Sequence, residues 1–222
     1  MTPEHALPTP LPVVHRTCLD LSGPRMAFLA ATVRSPGQIG AVAPSSPQLA
    51  GLLASVVPAH GTPVVVELGP GTGSVSAAID ARLPEGARHL AVELDPRLAA
   101  FLRRTRPGVE VIDGDARELT GLLAERAAAE VDAVVGGLPW SLFGQQAQGE
   151  ILAQVGAAIG RTGVFTTFAY THTRVIPAAR RFRELLAESF EEVQTSRTVW
   201  RNLPPAYAYV CRRPRSAPQG PV

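Results

Sequence analysis

The sequence predicts an α/β protein built on a doubly wound, mostly parallel sheet of seven strands, and three observations carry that prediction. Residues 64–73 read Val-Val-Val-Glu-Leu-Gly-Pro-Gly-Thr-Gly: a strand buried on both faces, then glycines able to turn tightly enough for a ligand to touch backbone. Apolar runs at 89–94, 109–112, 131–135 and 163–170 alternate with helical stretches, the pattern of β-α units sharing one parallel sheet. The last two runs, 192–200 and 207–212, have no helix between them, so they close the sheet as an antiparallel hairpin on one edge.

Composition limits the answer to one domain. A chain of 222 residues that is 45% hydrophobic builds one sizeable core and is too short for two ordinary domains plus linkers. The expected division is a proline-containing arm at 1–23, a single domain at 24–213 and a flexible tail at 214–222. A net charge of +2 is far from that of a nucleic-acid-binding tail, although all 21 basic residues are arginine, a choice that suits phosphate or reflects genomic base composition. Cys18 and Cys211 stand far apart with no metal-ligand spacing, which predicts two free thiols, a reducing cytoplasm and no metal. Neither a signal peptide nor an 18-residue apolar run occurs, so the expected location is cytoplasmic, with the inner membrane face as a peripheral alternative.

The elements follow in order. Residues 24–34 form an amphipathic helix with Arg25 and Arg34 at its ends, read either as a helix packed on the sheet or as an interfacial helix on a membrane. Ser46-Pro47 supplies an N-cap and a proline at N1 for a helix to about Val57, so residues 24–60 are expected to cover the site. The glycine loop departs from the dinucleotide pattern, because Ser74 stands where the third glycine belongs, and Glu67 adds negative charge that suits a cationic ligand. A helix over 72–83 follows. Glu93, at the end of the second strand, is placed to accept from both hydroxyls of a ribose, while Asp95 before Pro96 reads as the next N-cap. Arg103, Arg104 and Arg106 then oppose the dipole at the end of that helix. Helices are also expected over 145–159 and 177–189, the second with Phe182, Leu185 and Leu186 inward and Arg180, Arg181 and Arg183 outward.

The glycine loop, Glu93 and the Asp113-Gly114-Asp115-Ala116 turn together resemble the Rossmann-like, class I S-adenosylmethionine methyltransferases. The segment 28–46 and the string Val-Trp-Arg-Asn-Leu-Pro-Pro-Ala-Tyr at 199–207 further resemble the bacterial phospholipid (phosphatidylethanolamine) N-methyltransferases, which are similar in architecture to the ribosomal RNA adenine dimethylases. The resemblance implies S-adenosylmethionine as cofactor, with S-adenosylhomocysteine as product. It implies contacts from Ser45, Ser46, Glu67, Gly69, Pro70, Gly71, Thr72, Gly73, Glu93, Leu94, Ala116 and Gly137, with Asp115 accepting from the adenine amino group.

Leu138, Pro139, Trp140 and Tyr170 are the implied catalytic positions. Trp140, Tyr170, His172, Arg201 and Asn202 are the implied substrate contacts, Trp140 as a wall for a cationic amine or else a cover for the sheet edge. Tyr170 or His172 would orient or deprotonate the amine, Arg201 would bind phosphate, and Asn202 would close the head-group pocket. Gly137 replaces the asparagine of the adenine dimethylases and removes an acceptor for a base, which disfavours nucleic acid as substrate. The expected reaction is N-methylation of a phosphatidylethanolamine-like amphiphile. A specialised metabolite methylated on N, C or O is the alternative, followed by ribosomal RNA or a plain RNA-binding module, which would show steep salt dependence.

Overall fold

A computed structural model describes residues 44–128 and 130–215. The arm, the 24–34 helix, Cys18 and most of the tail lie outside the described residues. Strands β1 (Val64–Leu68), β2 (Arg88–Glu93), β3 (Glu110–Asp113), β4 (Ala133–Gly136), β5 (Val164–Tyr170), β6 (Phe190–Thr195) and β7 (Ala206–Pro214) form one sheet in the order β3-β2-β1-β4-β5-β7-β6. All neighbours are parallel except β7, which runs antiparallel between β5 and β6. This is the predicted Rossmann-like architecture, with the last strand in sequence, β7, inserted inside the edge. Strand order reverses at β1, between β2 and β4, and in doubly wound sheets ligands bind beyond the carboxyl ends of the strands at that point.

Helices α1 (Pro47–Leu53), α2 (Ser74–Asp80), α3 (Pro96–Thr105), α4 (Leu119–Ala124), α5 (Gln145–Ile159) and α6 (Pro177–Ser189) cover both faces. On one face Val66, Leu90, Val134 and Phe165 pack with Leu119 of α4, Ile151 and Val155 of α5, and Phe182 and Leu186 of α6. On the other, Val65, Ala133, Val135 and Ala208 pack with Leu49 and Leu53 of α1 and with Val75 and Ile79 of α2. The alternation along each strand thus delivers successive side chains to two separate cores.

Among the boundaries that differ from expectation, two have a plain physical reason. Helix α2 begins at Ser74 rather than Thr72, because Gly73 at φ +82° holds a left-handed conformation that no helical residue adopts. Strand β6 ends at Thr195 rather than Trp200. Beyond it the Ser196 hydroxyl accepts from the Ala208 amide at 2.9 Å, so a side chain replaces one backbone acceptor of the ladder, and pairing resumes only as a single bridge between Val199 and Ala206 before the 200–205 turn.

Candidate active site

Three acidic residues and one loop meet at the carboxyl ends of β1 to β3. Gly69, Gly71 and Gly73 all have positive φ, and the space a Cβ at Gly71 would occupy is empty to 4 Å. A ligand can therefore lie directly on that backbone. Glu93 is 8% exposed; its Oε2 accepts from the Gly71 amide at 3.1 Å and its Oε1 from the Asp95 amide at 3.0 Å. Burial raises the Glu93 pKa above the ordinary carboxylate value, against the pull of those amides. Asp95 caps α3 through the Arg97 amide, as the proline after it predicts.

Asp115 caps the turn at Ala116–Glu118 and is held by Arg117, whose Nη2 and Nε donate to Oδ2 at 2.6 and 3.0 Å. It is 7% exposed, so the turn is built and buried rather than merely solvated. Leu94 and Ala116, each half-buried, follow these strand ends.

Glu67 differs from its expected place as a negative charge presented to a ligand. Its carboxylate is fully buried under the loop, where Oε2 accepts from Ser76 Oγ at 2.6 Å and lies 3.3 Å from His89 Nε2. His89 Nδ1 is 2.8 Å from Asp80, Asp80 is 3.7 Å from Arg106, and Arg106 Nη2 donates to the Gly73 carbonyl at 3.3 Å. Burial alone would lower the His89 pKa, but the hydrogen bond to Asp80 and the nearby Glu67 carboxylate outweigh it and raise the value to about 9. The imidazolium therefore neutralises Glu67 from below, and the ring of alternating charge returns to the glycine loop. Sequence reasoning passed over His89 and gave Arg106 only a dipole role; a histidine inside a buried apolar strand beside Glu67 was the available signal. Glu67 Oε1 remains a buried oxygen without a partner among the described residues.

The β4 end approaches the glycine loop closely. The Gly137 amide donates to the Leu68 carbonyl at 2.7 Å, and a Cβ at Gly137 would sit 2.7 Å from the Gly69 carbonyl oxygen. No side chain fits there, which gives the missing asparagine a steric reason. Leu138 and Pro139 follow, half-buried.

Trp140 is not an open wall. It is 4% exposed, its indole N–H donates to Thr167 Oγ1 at 2.5 Å, and its ring stacks on Phe182 at 4.6 Å between Phe143 and Phe165. Those neighbours cover the faces a cation would need, so Trp140 belongs to the core under the site. Tyr170, at the end of β5, stacks on the exposed ring of His172 at 5.7 Å. Burial pushes its hydroxyl pKa up to about 12, so it keeps its proton at neutral pH.

Asn202 is 4% exposed, and its expected place in a head-group pocket gives way to a structural one. Its Oδ1 accepts from the Ser46 amide at 2.9 Å and its Nδ2 donates to the Pro204 carbonyl at 2.7 Å. Ser46 also caps α1, accepting from the Leu49 amide at 3.2 Å. The Ser45-Ser46 loop is thus tied to the 200–205 turn, whose Arg201 is exposed. Cys211 is buried, and burial pushes its thiol pKa up to about 12, leaving it unreactive.

Comparison with known proteins accords with this geometry. No protein-family model matches the chain. The ornithine lipid N-methyltransferase of Singulisphaera acidiphila is 34% identical over 191 residues, covering 83% of this chain and 94% of that protein. Ribosomal RNA small subunit methyltransferase A of Chlorobaculum parvum is 35% identical over 79 residues, covering 36% of this chain and 27% of that protein. The structure of precorrin-6y C5,15-methyltransferase from Geobacter metallireducens superposes with a TM-score of 0.57 at 19% identity over 75% of this chain and 88% of its own, a likeness of fold.

Proposed function

Because the chain belongs to the S-adenosylmethionine-dependent methyltransferases, in the family of ornithine lipid N-methyltransferase, we propose that it N-methylates the amine of a lipid head group. One observation carries this reading: the likeness to the lipid enzyme runs through 83% of the chain, whereas the likeness to the ribosomal RNA enzyme stays within 79 residues. The closed space at Gly137 adds support, since it denies a flipped base its side-chain acceptor.

The residues present fit the cofactor: an open glycine backbone, a buried carboxylate at the β2 end and a second at the β3 end. When bound, S-adenosylmethionine supplies an electrophilic methyl group to a neutral amine. In this reading Glu93 holds the ribose hydroxyls, Asp115 accepts from the adenine amino group, and Leu94 and Ala116 flank the ring. The main chain of Gly69 to Gly73 and the Ser45-Ser46 loop enclose the methionine end beside Gly137. Backbone carbonyls of Gly137, Leu138 and Pro139 align the amine, and Tyr170 Oη, keeping its proton, orients it. Arg201 and His172, both exposed beside the site, meet the acidic part of the head group. Among the described residues no helix is long and apolar enough to cross a membrane.

The test is mass spectrometry of the lipids of a host expressing the chain. A methyl-shifted aminolipid that is absent when Glu93 is replaced by Ala supports the proposal; an unchanged lipid profile with active enzyme in the cell contradicts it.

A further inference from the structure

We propose that the groove between the Thr171–Val175 turn, the first turns of α6 and strands β6 and β7 is an anion-binding site that takes the phosphate of a membrane lipid. The groove encloses about 190 Å³ and shares no residue with the glycine loop, Glu93 or Asp115. A liquid water takes about 30 Å³, so several water-sized groups fit. Its polar lining is Arg174, Arg180, Arg183, Thr195, Tyr207 and Tyr209.

That lining is rich in donors. A guanidinium offers only N–H groups. Arg174 lies 4.7 Å above the Tyr207 ring, and neither it nor Arg183 has a carboxylate within ion-pair distance among the described residues. Arg180 is 3.7 Å from Glu184, the one acidic partner of the groove's arginines among the described residues, in an exposed pair worth little. The hydroxyls of Tyr207 and Tyr209, both side chains nearly fully buried, are 3.2 Å apart. Two hydroxyl protons share that single bond, so one proton is left for an acceptor in the groove. Burial raises the Tyr209 pKa, keeping its proton in place. Pro177 and Ala179 bring the amino end of α6 to the same lining, and its dipole adds to the positive field. Three guanidiniums, a spare hydroxyl proton and a helix amino end match a phosphate better than any cation or neutral group.

The apolar lip indicates that the phosphate belongs to a bilayer. Val175 is 90% exposed and Ile176 39%, and both line the groove. The adjoining 200–205 turn, joined to this one by the Thr171 amide bonding the Pro205 carbonyl at 2.8 Å, exposes Trp200 at 75% and Leu203 at 79%. Apolar side chains around a cationic groove suit an interface in which they enter the lipid while the arginines meet head-group phosphates. Only the choice of a lipid as carrier rests on the proposed function; the affinity for phosphate does not.

The experiment is co-sedimentation of the full chain with vesicles of phosphatidylcholine and phosphatidylglycerol in equal parts, comparing R174Q, R183Q and R181Q. Arg181 is exposed on the same helix but does not line the groove, so it removes the same charge without touching the site. Loss of about fivefold in vesicle affinity for R174Q and for R183Q, with R181Q unchanged, is expected. The double variant Y207F/Y209F, which removes both hydroxyl protons together and keeps both rings, is expected to weaken binding with little change in melting temperature. Equal losses in all three arginine variants, or none, overturn the site. Arginine-dependent binding of inorganic phosphate by calorimetry without any vesicle binding overturns the lipid and leaves a soluble phosphate ligand. Methylation of detergent-dispersed aminolipid by the unaltered chain is read separately: its failure beside groove-dependent vesicle binding defeats the proposed function alone.

Discussion

The backbone amide of Ser46 donates to Oδ1 of Asn202 across 2.9 Å, joining the loop before α1 to the turn before β7, 156 residues later. The same side chain donates to the Pro204 carbonyl, so one buried amide sets both segments that border the candidate site.

Asn202→Ala leaves the Ser46 amide and the Pro204 carbonyl without that partner. We expect a loss of about 1–3 kcal/mol in urea unfolding, with weaker cofactor binding by calorimetry as the 44–46 loop loosens. Unchanged stability would show that solvent replaces both bonds.

Glu93 separates stability from function. Its pKa is raised by burial, so its ionisation costs folding stability as pH rises through the folded value, and the contribution is favourable only below the unfolded pKa. Glu93→Gln avoids that cost. The variant is expected to unfold within about 1 kcal/mol of the unaltered chain or later, yet to bind S-adenosylmethionine at least about tenfold more weakly for want of a charged acceptor. Intact cofactor affinity would remove Glu93 from the ribose.

His89 works in the opposite pH range. Its pKa is raised to about 9 in the folded chain, so the stability it confers is complete below its unfolded value near 6.5 and is lost as pH rises through 9. The melting temperature should fall across that window by an amount equivalent to about 3 kcal/mol at most. In His89→Gln the slope should flatten, and a retained slope would place the titrating group elsewhere.

Trp140→Ala should cost about 3–5 kcal/mol through the cavity it leaves against Phe182 and Phe165, whereas Trp140→Phe should keep cofactor affinity. A stable, folded Trp140→Ala protein with lost turnover would return Trp140 to the substrate.

What the sequence made legible follows from how locally each feature is written. The Val64–Leu68 strand, the glycine loop, Glu93 and the Asp95 cap are each specified within a few residues, and helices α5 and α6 have the predicted bounds. The Ser46–Asn202 contact and the Trp140–Phe182 stack join residues far apart along the chain, and no local pattern encodes them. Trp140 reads alike whether it lines a pocket or fills a core. The alternating pattern of 192–200 runs past Ser196, where a hydroxyl takes the place of a backbone acceptor and the ladder shrinks to one bridge at Val199 and Ala206. Arg180 and Arg183 read as a solvated helix face until β7 brings two buried tyrosines beneath them.

Transfer of labelled methyl from S-adenosylmethionine, run in parallel on phosphatidylethanolamine and ornithine lipid vesicles, on ribosomal RNA and on a soluble extract of the source organism, tests the central claim most directly. Label is expected in an aminolipid and is lost in Glu93→Ala. Label confined to RNA or to a soluble small molecule would contradict it.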